Sequence, residues 1–398
     1  MPRATPPHRH RWQMLGGMAA LALVLLGCSP REPTPGRLEL VLIVSWESYR
    51  QHFISPEGRV VIAERGGGTI SEAQAYALLR AVWAGDKGTF AKVYRWTQEN
   101  LSRSGRHGDG LLAWQWGQRD DGTWGVLDEN TATDADLDYA LALTLAGRRG
   151  WRGPPGLPGY MEEGRRVQAD ILKLETVTLA NGEHLLSPGN WQGPQPPFLV
   201  NLSYFSPGAY RLLAQVHAES TWMELRSSTY ALLARLAWGW EGAPGVGLFP
   251  DWCQVDGVGK PGPAASRSCD FGWEAVRLPF RLAQDRLWFG MAQGERILKQ
   301  RFLPFFRREW RARGRLAAVY HYDGTPAVPY ESPVLYAGVL AAAVTAGDLN
   351  FARQMAAKVL SFYREQGGQA FFVSPDNYYV NNWAWLGLAL YNGWVRPF

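Results

Sequence analysis

Residues 132–148 read ATDADLDYALALTLAGR, and this stretch decides the fold class. Its apolar residues recur at helical spacing behind an acidic start, which predicts a helix over 134–148 with Thr133 as N-cap. Ten more stretches share the spacing, and no long alternating pattern predicts a strand: 71–84, 88–101, 161–175, 207–218, 221–239, 274–289, 294–313, 333–346, 349–366 and 382–393. Several are closely paired, and helical pairs around a closed ring form an all-α toroid. The roughly 370 residues beyond the N-terminus suit about six pairs.

Length and composition describe a folded globular chain of 398 residues, 46% hydrophobic and 19% charged. This balance excludes a disordered tail, a collagen and a coiled coil. The formal charge of +5 falls to +2 beyond Gly27, because Arg3, Arg9 and Arg11 precede it without an acid. We therefore expect no basic block and no nucleic-acid partner. The aromatic content is unusual, since 19 Trp outnumber 16 Tyr and 16 Phe.

The N-terminus predicts export. Basic residues precede an apolar run over 14–27 that is typical of a signal peptide and too short to span a bilayer. The sequence LLGC at 25–28 resembles a bacterial lipobox, so we expect a lipoprotein signal peptide over 1–27 and a lipid on Cys28. A tether over 28–44 and a single domain over 45–398 would follow, anchored to a membrane and facing the periplasm or the cell exterior. The alternative is an ordinary signal peptide with a chance cysteine.

The other two cysteines, Cys253 and Cys269, are candidates for a disulfide in an oxidising compartment. Closing their short loop would stabilise the fold by roughly 3 kcal/mol. Two buried free thiols are the alternative. No CxxC or His-rich spacing indicates a metal site, and we expect neither a metal nor another cofactor.

Acidic residues fall at predicted helix starts. Ser71 and Gln74 fit a capping box, Asp270 could cap the helix near 274, and Asn381 could cap the last helix. The inner helices of an α/α toroid all run the same way, so their N-termini meet at one mouth. We expect four carboxylates to converge there among aromatic rings: Glu72, Asp134, Asp136 and Glu274, with Tyr204, Tyr378, Trp124 and Trp273 nearby.

Convergent carboxylates ringed by aromatic side chains suit a glycan. Sugar C–H groups stack on indole rings, and cleavage of a glycosidic bond needs one acid and one base. The alternative for any single carboxylate is that it only complements the helix macrodipole in a first turn.

A series of motifs runs in order through the chain beyond residue 45: GRV (58–60), TISEAQAY (69–76), GDK (85–87), WTQENL (96–101), LLAWQW (111–116), WGVLD (124–128), ATDAD (132–136), NLSY (201–204), PDW (250–252), WEAVR (273–277), YY (378–379) and WAWLG (383–387). Together they resemble glycoside hydrolase family 8, and more closely its members from bacterial cellulose-synthesis clusters. The combination of Ser71-Glu72 with the ATDAD run makes the resemblance specific.

The resemblance implies an (α/α)6 barrel and inverting, endo-acting hydrolysis of a β-1,4-glucan, with a polysaccharide synthase complex as a candidate partner. Glu72 would be the acid, and Asp134 would hold the sugar at the cleavage site with Asp136 adjacent. Tyr204 and Arg277 would line the same subsite. Trp124, Trp273 and Tyr378 would contact the glycan. Acid and base should stand about 6.5–9.5 Å apart.

One departure concerns the base. The family usually has Asp where this chain has Glu274, one methylene longer, and a shift of that order can lower a rate by roughly a hundredfold. Either the site is reshaped around Glu274, or the base is Asp270, Asp256 or Asp251. Two alternatives stay open: the same fold acting on chitosan, mixed-linkage glucan or xylan, and a catalytically weak glucan-binding protein.

Overall fold

The computed structural model describes residues 35–216, 219–237, 239–240 and 243–398, all within one compact unit. The predicted signal peptide at 1–27 and the predicted lipid site at Cys28 lie outside the described residues. No helix among the described residues has the length and apolar character needed to cross a membrane.

Helices dominate the described chain. They are α1 (Pro35–Phe53), α2 (Ser71–Ala84), α3 (Lys87–Asn100), α4 (Ser104–His107), α5 (Thr133–Arg148), α6 (Tyr160–Leu174), α7 (Pro207–Val216), α8 (Thr221–Leu236), α9 (Leu278–Phe289), α10 (Ala292–Ile297), α11 (Leu303–Arg313), α12 (Pro333–Thr345), α13 (Leu349–Ser361) and α14 (Tyr378–Tyr391). A π turn (Leu298–Phe302) joins α10 to α11, and short 3-10 turns occur at Ala63–Arg65, Leu202–Tyr204 and Ala275–Arg277.

The strands are short and lie in the connections between helices. They are β1 (Thr69–Ile70), β2 (Gln115–Gln118), β3 (Trp124–Asp128), β4 (Thr176–Thr178), β5 (His184–Leu186), β6 (Phe198–Asn201), β7 (Gly239–Trp240), β8 (Ala243–Pro244), β9 (Trp252–Val255), β10 (Pro261–Pro263), β11 (Tyr363–Gln366) and β12 (Gln369–Phe372). They pair antiparallel in the orders β1-β2-β3 and β10-β9-β6 and as three hairpins. At two to five residues, such strands are too short for an alternating pattern to be recognised in the sequence.

Six helices form a closed inner ring. In order α2, α5, α7, α9, α12 and α14, each packs on the next, and α14 returns to α2. The outer helices pack around this ring: α3 on α2, α6 on α5, α8 on α7, the short α10 on α9, α11 and α13 on α12, and α1 on α14. The inner helices are apolar on nearly every side because they are covered on both faces, as α12 and α14 show. The fold is the expected (α/α)6 barrel.

The boundary of the predicted tether is corrected. Residues 35–44 belong to α1, whose Leu38 and Leu42 are buried in the core. The Pro and Gly at 35–36 suggested a linker, but they precede a run of apolar residues at helical spacing. That run supplies the outer helix that packs against α14 and completes the ring.

Three predicted caps are wrong in detail. Helices α2 and α5 begin one residue earlier than the caps required, so Ile70 and Ala132 stand at their N-caps. The side chain of Gln74 accepts from the Val60 amide (2.6 Å) and donates to Thr97 Oγ1 (2.8 Å), so it does not close a capping box. Helix α14 is capped by Asn377, one turn before Asn381.

Two further expectations differ from the structure. The segment predicted as one helix over 349–366 ends at Ser361 and continues as β11, which pairs with β12. Cys253 and Cys269 are both free thiols, so the candidate disulfide is not formed, and only one of the two thiols is buried as the alternative expected. Cys253 is buried in the core, whereas Cys269 is partly exposed with its Sγ near the Arg267 carbonyl (3.9 Å).

Candidate active site

An open cleft of about 430 Å³ lies where the inner helices begin. It brings together six residues that the sequence had placed at one mouth: Glu72, Asp134, Tyr204, Trp273, Glu274 and Tyr378. Each comes from the start of an inner helix or from the turn before one. Helices that run the same way present their starts at the same end of the ring, which is why residues so distant in sequence meet.

Four acids line this cleft, Glu64, Glu72, Asp134 and Glu274, and a single buried guanidinium holds the last three. Arg277 Nη1 donates to Glu72 Oε2 (2.7 Å) and to Asp134 Oδ2 (2.9 Å), and Nη2 donates to Glu274 Oε2. Burial opposes the charge of Arg277, but the surrounding groups, Glu274 foremost, raise its pKa still further above its usual value. Arg277 is therefore a permanent cation on which the carboxylates converge.

Glu72 is fixed at both oxygens. Its Oε1 accepts from the Tyr378 hydroxyl (2.6 Å), while Oε2 faces Arg277. The residue before it is held by the neighbouring sheet, because the Ser71 amide donates to the Trp114 carbonyl (3.0 Å). With its side chain 17% exposed, the Glu72 carboxyl is oriented by the protein yet accessible from the cleft.

Asp134 lies deeper, with its side chain 4% exposed. Burial raises the pKa of its carboxyl to about 8, and Arg277 opposes this shift while Glu72 and Glu274 add to it. Its Oδ2 accepts from Arg277, and its Oδ1 accepts from the Ala135 amide (2.9 Å), so the protein holds both oxygens of this carboxyl.

Glu274 is the most exposed of the three acids, at 34% of its side chain. Its Oε2 accepts from Asn201 Nδ2 (3.0 Å), Ser203 Oγ (3.4 Å) and Arg277. No donor in the described ranges contacts its Oε1. One oxygen is thus held by the protein, while the other is left to accept a hydrogen bond from a water in the cleft.

Beneath Glu274 a buried aspartate holds the backbone in place. Asp251 Oδ1 accepts from the amides of Gly272 (3.0 Å), Glu274 (3.1 Å) and Ala275 (2.7 Å). A Cβ at Gly272 would lie 2.7 Å from Asp251 Oδ2, so the close approach needs glycine. Burial raises the pKa of Asp251 to about 7.

Residues 18–381 match the family described as glycosyl hydrolases family 8. The chain belongs to this family. It is 30% identical over 322 residues to endoglucanase A of Acetivibrio thermocellus, covering 79% of this chain and 63% of that protein. The chain thus spans less than two thirds of that relative's length.

Two solved structures share the fold of this family 8 chain. The endo-1,4-D-glucanase of Vibrio fischeri ES114 is 24% identical, with a TM-score of 0.69 over 87% of this chain and 94% of the other. The β-1,3-1,4-glucanase of Paenibacillus sp. X4 is 20% identical, with a TM-score of 0.74 over 92% and 94%. Such likenesses establish the barrel.

Asp136 does not enter the cleft of this family 8 barrel, which corrects the expectation that it adjoins the sugar. It is fully buried, and its Oδ1 accepts from the Leu112 amide (2.8 Å) beside Glu175. Two residues along an α-helix differ by about 200° in direction, so Asp134 and Asp136 point to opposite sides of α5. Asp136 instead supports the 111–114 segment that leads to the cleft.

The three spare candidates for the base do not line the cleft either. Asp251 is buried below Glu274. Asp270, which was also expected to cap a helix, contacts His321 Nδ1 (2.9 Å), and Asp256 accepts the Val258 and Lys260 amides in a turn. Of the four candidate bases, the structure places only Glu274 on the cleft wall.

The aromatic residues divide between the cleft and its surroundings. Trp273 lines the wall with its carbonyl bonded to the Tyr379 hydroxyl, and the ring of Tyr204 lies 5.6 Å from the Arg277 guanidinium carbon. Trp124 lies outside the lining, stacked on Trp116 with ring centroids 5.1 Å apart. Its predicted contact with a glycan could be made only beyond the cleft, on the β2–β3 hairpin.

Sequence reasoning missed Glu64 and Arg65 in the lining, which lie outside the family motifs. It also missed Trp114 and Tyr379 in the lining, and Asn201 and Ser203 behind Glu274. These last four occur inside the motifs that carried the family resemblance, which was the available signal. The motifs do not distinguish side chains that face the cleft from those that face the core.

In the described part of the chain, no group of three or more His, Cys, Asp or Glu is placed to hold a metal ion.

Proposed function

We propose that this chain is an endo-acting hydrolase of β-1,4-glucan that works with inversion. The observation that supports this most is the meeting of Glu72, Asp134 and Glu274 on Arg277 in an open cleft with aromatic walls. An open groove accommodates a polymer along its length, and inversion is consistent with the family to which the chain belongs.

The roles follow from exposure and hydrogen bonding. Glu72, reachable from the cleft and oriented by Tyr378 and Arg277, protonates the leaving glycosidic oxygen. Glu274 accepts the proton of the attacking water at its Oε1, the oxygen that the protein leaves to the cleft. Asp134, which lines the cleft and is held by Arg277, forms a hydrogen bond with a sugar hydroxyl at the cleavage site.

The longer Glu274 is compatible with this role because its surroundings are built for it. Asn201, Ser203 and Arg277 hold one carboxylate oxygen, and Asp251 fixes the backbone from which the side chain extends. A side chain restrained in this way loses little precision from its additional methylene.

The first test substitutes Glu72→Gln, with Glu99→Gln as matched control because Glu99 is an exposed glutamate on outer helix α3. Release of reducing ends from carboxymethyl-cellulose should fall by roughly 10²–10⁴-fold in E72Q, the contribution typical of general acid catalysis, and stay unchanged in E99Q. Circular dichroism should show both variants folded. A fully active, folded E72Q would refute the assignment.

The stereochemical outcome is tested on the wild type. Proton NMR of fresh product from a β-linked oligosaccharide should show α-anomers first, as expected for inversion. A comparison of cellulose, mixed-linkage glucan, xylan and chitosan gives the linkage preference. The two solved structures with this fold are named for a 1,4-glucanase and a 1,3-1,4-glucanase. The comparison between cellulose and mixed-linkage glucan is therefore the most informative of the four.

A catalytically weak glucan-binding protein is the second candidate, favoured by Glu274 at the position where the family usually has Asp. In that case wild type would bind cello-oligosaccharides without cleaving them, and Glu274→Asp would introduce cleavage. If the assignment of Glu274 as an adapted base is right, E274D is instead slower than wild type, because the shorter side chain leaves Asn201 and Ser203.

Export as a lipoprotein, and work beside a polysaccharide synthase, are proposed from the sequence alone. The first rests on residues 14–28 and the second on the motifs shared with cellulose-cluster members. Labelled palmitate should enter the chain in a bacterial host and be lost in Cys28→Ala. An unlabelled wild type would indicate an ordinary signal peptide.

A further inference from the structure

The near-neutral balance of the chain conceals a strongly basic segment. Residues 296–315 contain eight Arg or Lys and one acid, Glu309, so the segment carries +7 in a chain of +5 and the rest is net negative by two. The expectation of no basic block is therefore wrong for this segment. It covers the π turn and α11, on the outside of the ring.

Two cations of this segment form ion pairs with acids of the protein. Arg307 pairs with Asp348 (2.5 Å) and Arg313 with Glu309 (2.9 Å). In the described part of the chain, no ion pair or hydrogen bond involves five further exposed cations of the segment, which are Arg296, Lys299, Arg308, Arg311 and Arg315.

Four of these cations, Arg296, Lys299, Arg308 and Arg311, share the solvent side of one helical element that runs from α10 through the π turn into α11. Arg315 follows just beyond its end. The opposite side of this element is buried in the barrel through Leu298, Phe302, Phe305 and Phe306, so the exposed residues can only face outward. From 296 to 311 the helix rises by about 20 Å at 1.5 Å per residue. We call the five residues the basic face.

The length of the basic face indicates an extended partner. At physiological salt, charges interact over about 8 Å, so one small anion cannot neutralise cations spread over twice that distance. A phospholipid surface carries many phosphates in a plane, and each Arg or Lys brought to it contributes about 1 kcal/mol. The apolar side of the helix is already packed in the core, so attachment would be electrostatic and would not involve insertion.

We infer that the basic face docks the folded domain on an anionic phospholipid surface. This goes beyond the proposed hydrolase function and does not depend on it. The predicted lipid at Cys28 is the reason to prefer a membrane over an acidic protein, because a lipid anchor would hold the folded domain close to a phospholipid surface, where weak ionic contacts act at high effective concentration. The choice of partner therefore rests on the proposed lipidation.

The test uses the full chain and vesicles of phosphatidylcholine with or without phosphatidylglycerol. The triple variant Lys299→Gln, Arg308→Gln, Arg311→Gln is compared with Lys87→Gln, Lys92→Gln, Lys173→Gln, which removes the same charge from exposed positions on α3 and α6. Any apolar attachment through the N-terminus contributes equally to both variants. The preference for phosphatidylglycerol vesicles is therefore the quantity that responds to the basic face.

In wild type, affinity for phosphatidylglycerol vesicles should exceed that for phosphatidylcholine vesicles, and added NaCl should abolish the difference. The triple variant should lose at least about tenfold of that preference, and the control should keep it. Equal losses in both variants would attribute binding to net charge and overturn the proposal. The proposal would also be overturned if wild type showed no preference for phosphatidylglycerol vesicles. It would be overturned as well if binding to polyglutamate depended on the basic face while binding to vesicles did not.

Discussion

Arg277 is the residue on which the cleft depends most. It is buried, and its two Nη atoms donate to Glu72, Asp134 and Glu274. Removal of the cation would leave three acids facing one another in a partly dry site, where like charges repel strongly. Its planar, forked geometry also sets the relative positions of the acids, which a lysine could not do.

Arg277→Lys tests this directly. The charge is kept but the fork is lost, so we expect a folded protein whose kcat falls by on the order of a hundredfold, as misplaced catalytic groups typically cause. Steady-state kinetics on a soluble cello-oligosaccharide would measure it. Arg286→Lys, in a half-buried pair with Glu295 near the far end of α9, is the control and should keep its kcat. An R277K enzyme with wild-type kcat would show that the fork is dispensable.

The turn before α9 shows how a short element places a catalytic group. Asp251 accepts three amides of this turn and so holds the backbone of Glu274 and of the 3-10 segment that ends at Arg277. The Asp251 carboxyl does not touch the cleft, so it positions other residues without contacting the substrate.

The variants Asp251→Asn and Asp251→Ala test whether the acceptor oxygen of residue 251 positions Glu274. Asparagine keeps an acceptor oxygen and should preserve most of the activity, whereas alanine leaves three amides without their acceptor. For D251A we expect kcat to fall at least about tenfold with a smaller change in KM, because the base is displaced while the binding walls stay. Equal activity of both variants would exclude a positioning role.

The contact between α12 and α14 relies on small residues. A Cβ at Gly387 would lie 2.6 Å from the Cβ of Ala337, and both helices are buried. Two inner helices thus approach closely where neither has a side chain to separate them.

Gly387→Ala should therefore destabilise the fold even though alanine favours helices. We expect a loss of about 1–3 kcal/mol in the free energy of unfolding, the usual cost of overpacking a core. Gly105→Ala is the control, because nothing lies within 4 Å of its added methyl and it sits in the short helix α4. Urea denaturation of both variants measures the difference; a neutral G387A would mean that the ring can expand there.

Across the molecule, buried carboxyls couple stability to pH. Burial raises the pKa of Glu175 to about 7, and burial followed by the neighbouring Glu175 raises the pKa of Asp136 well above its usual value. The pKa values of Asp134 and Asp251 are shifted in the same direction. Near neutral pH these four groups bind more protons in the folded state than in the unfolded state, so unfolding releases protons.

The direction of the pH dependence follows from the linkage between proton binding and folding. A raised carboxyl pKa gives stability that is complete below about pH 4, where the unfolded group titrates, and is lost as pH rises through the folded value. We therefore expect the midpoint temperature of thermal unfolding to decrease as the pH is raised from about 5 to about 8. Glu175→Gln should make the decline shallower, since it removes one such group and relieves Asp136. A midpoint that rises with pH over this range would contradict the assignment of these protons.

The sequence by itself determined the helical periodicity, the family motifs and the presence of Glu72, Asp134 and Glu274 near helix starts. These follow from local spacing, because apolar repeats fix which face of a helix is buried. From this pattern the ring and its mouth could be expected, since helices that run the same way bring their starts together.

The tertiary structure alone decided which side chains enter the cleft. Asp134 and Asp136 are equally acidic in the sequence, yet the rotation of α5 directs one to Arg277 and the other to the core beside Glu175. Likewise Asp251 supports Glu274 without replacing it, because the direction of a side chain depends on packing across the ring. A linear pattern carries no information about those long-range contacts, and the same holds for the closure of the barrel by α1.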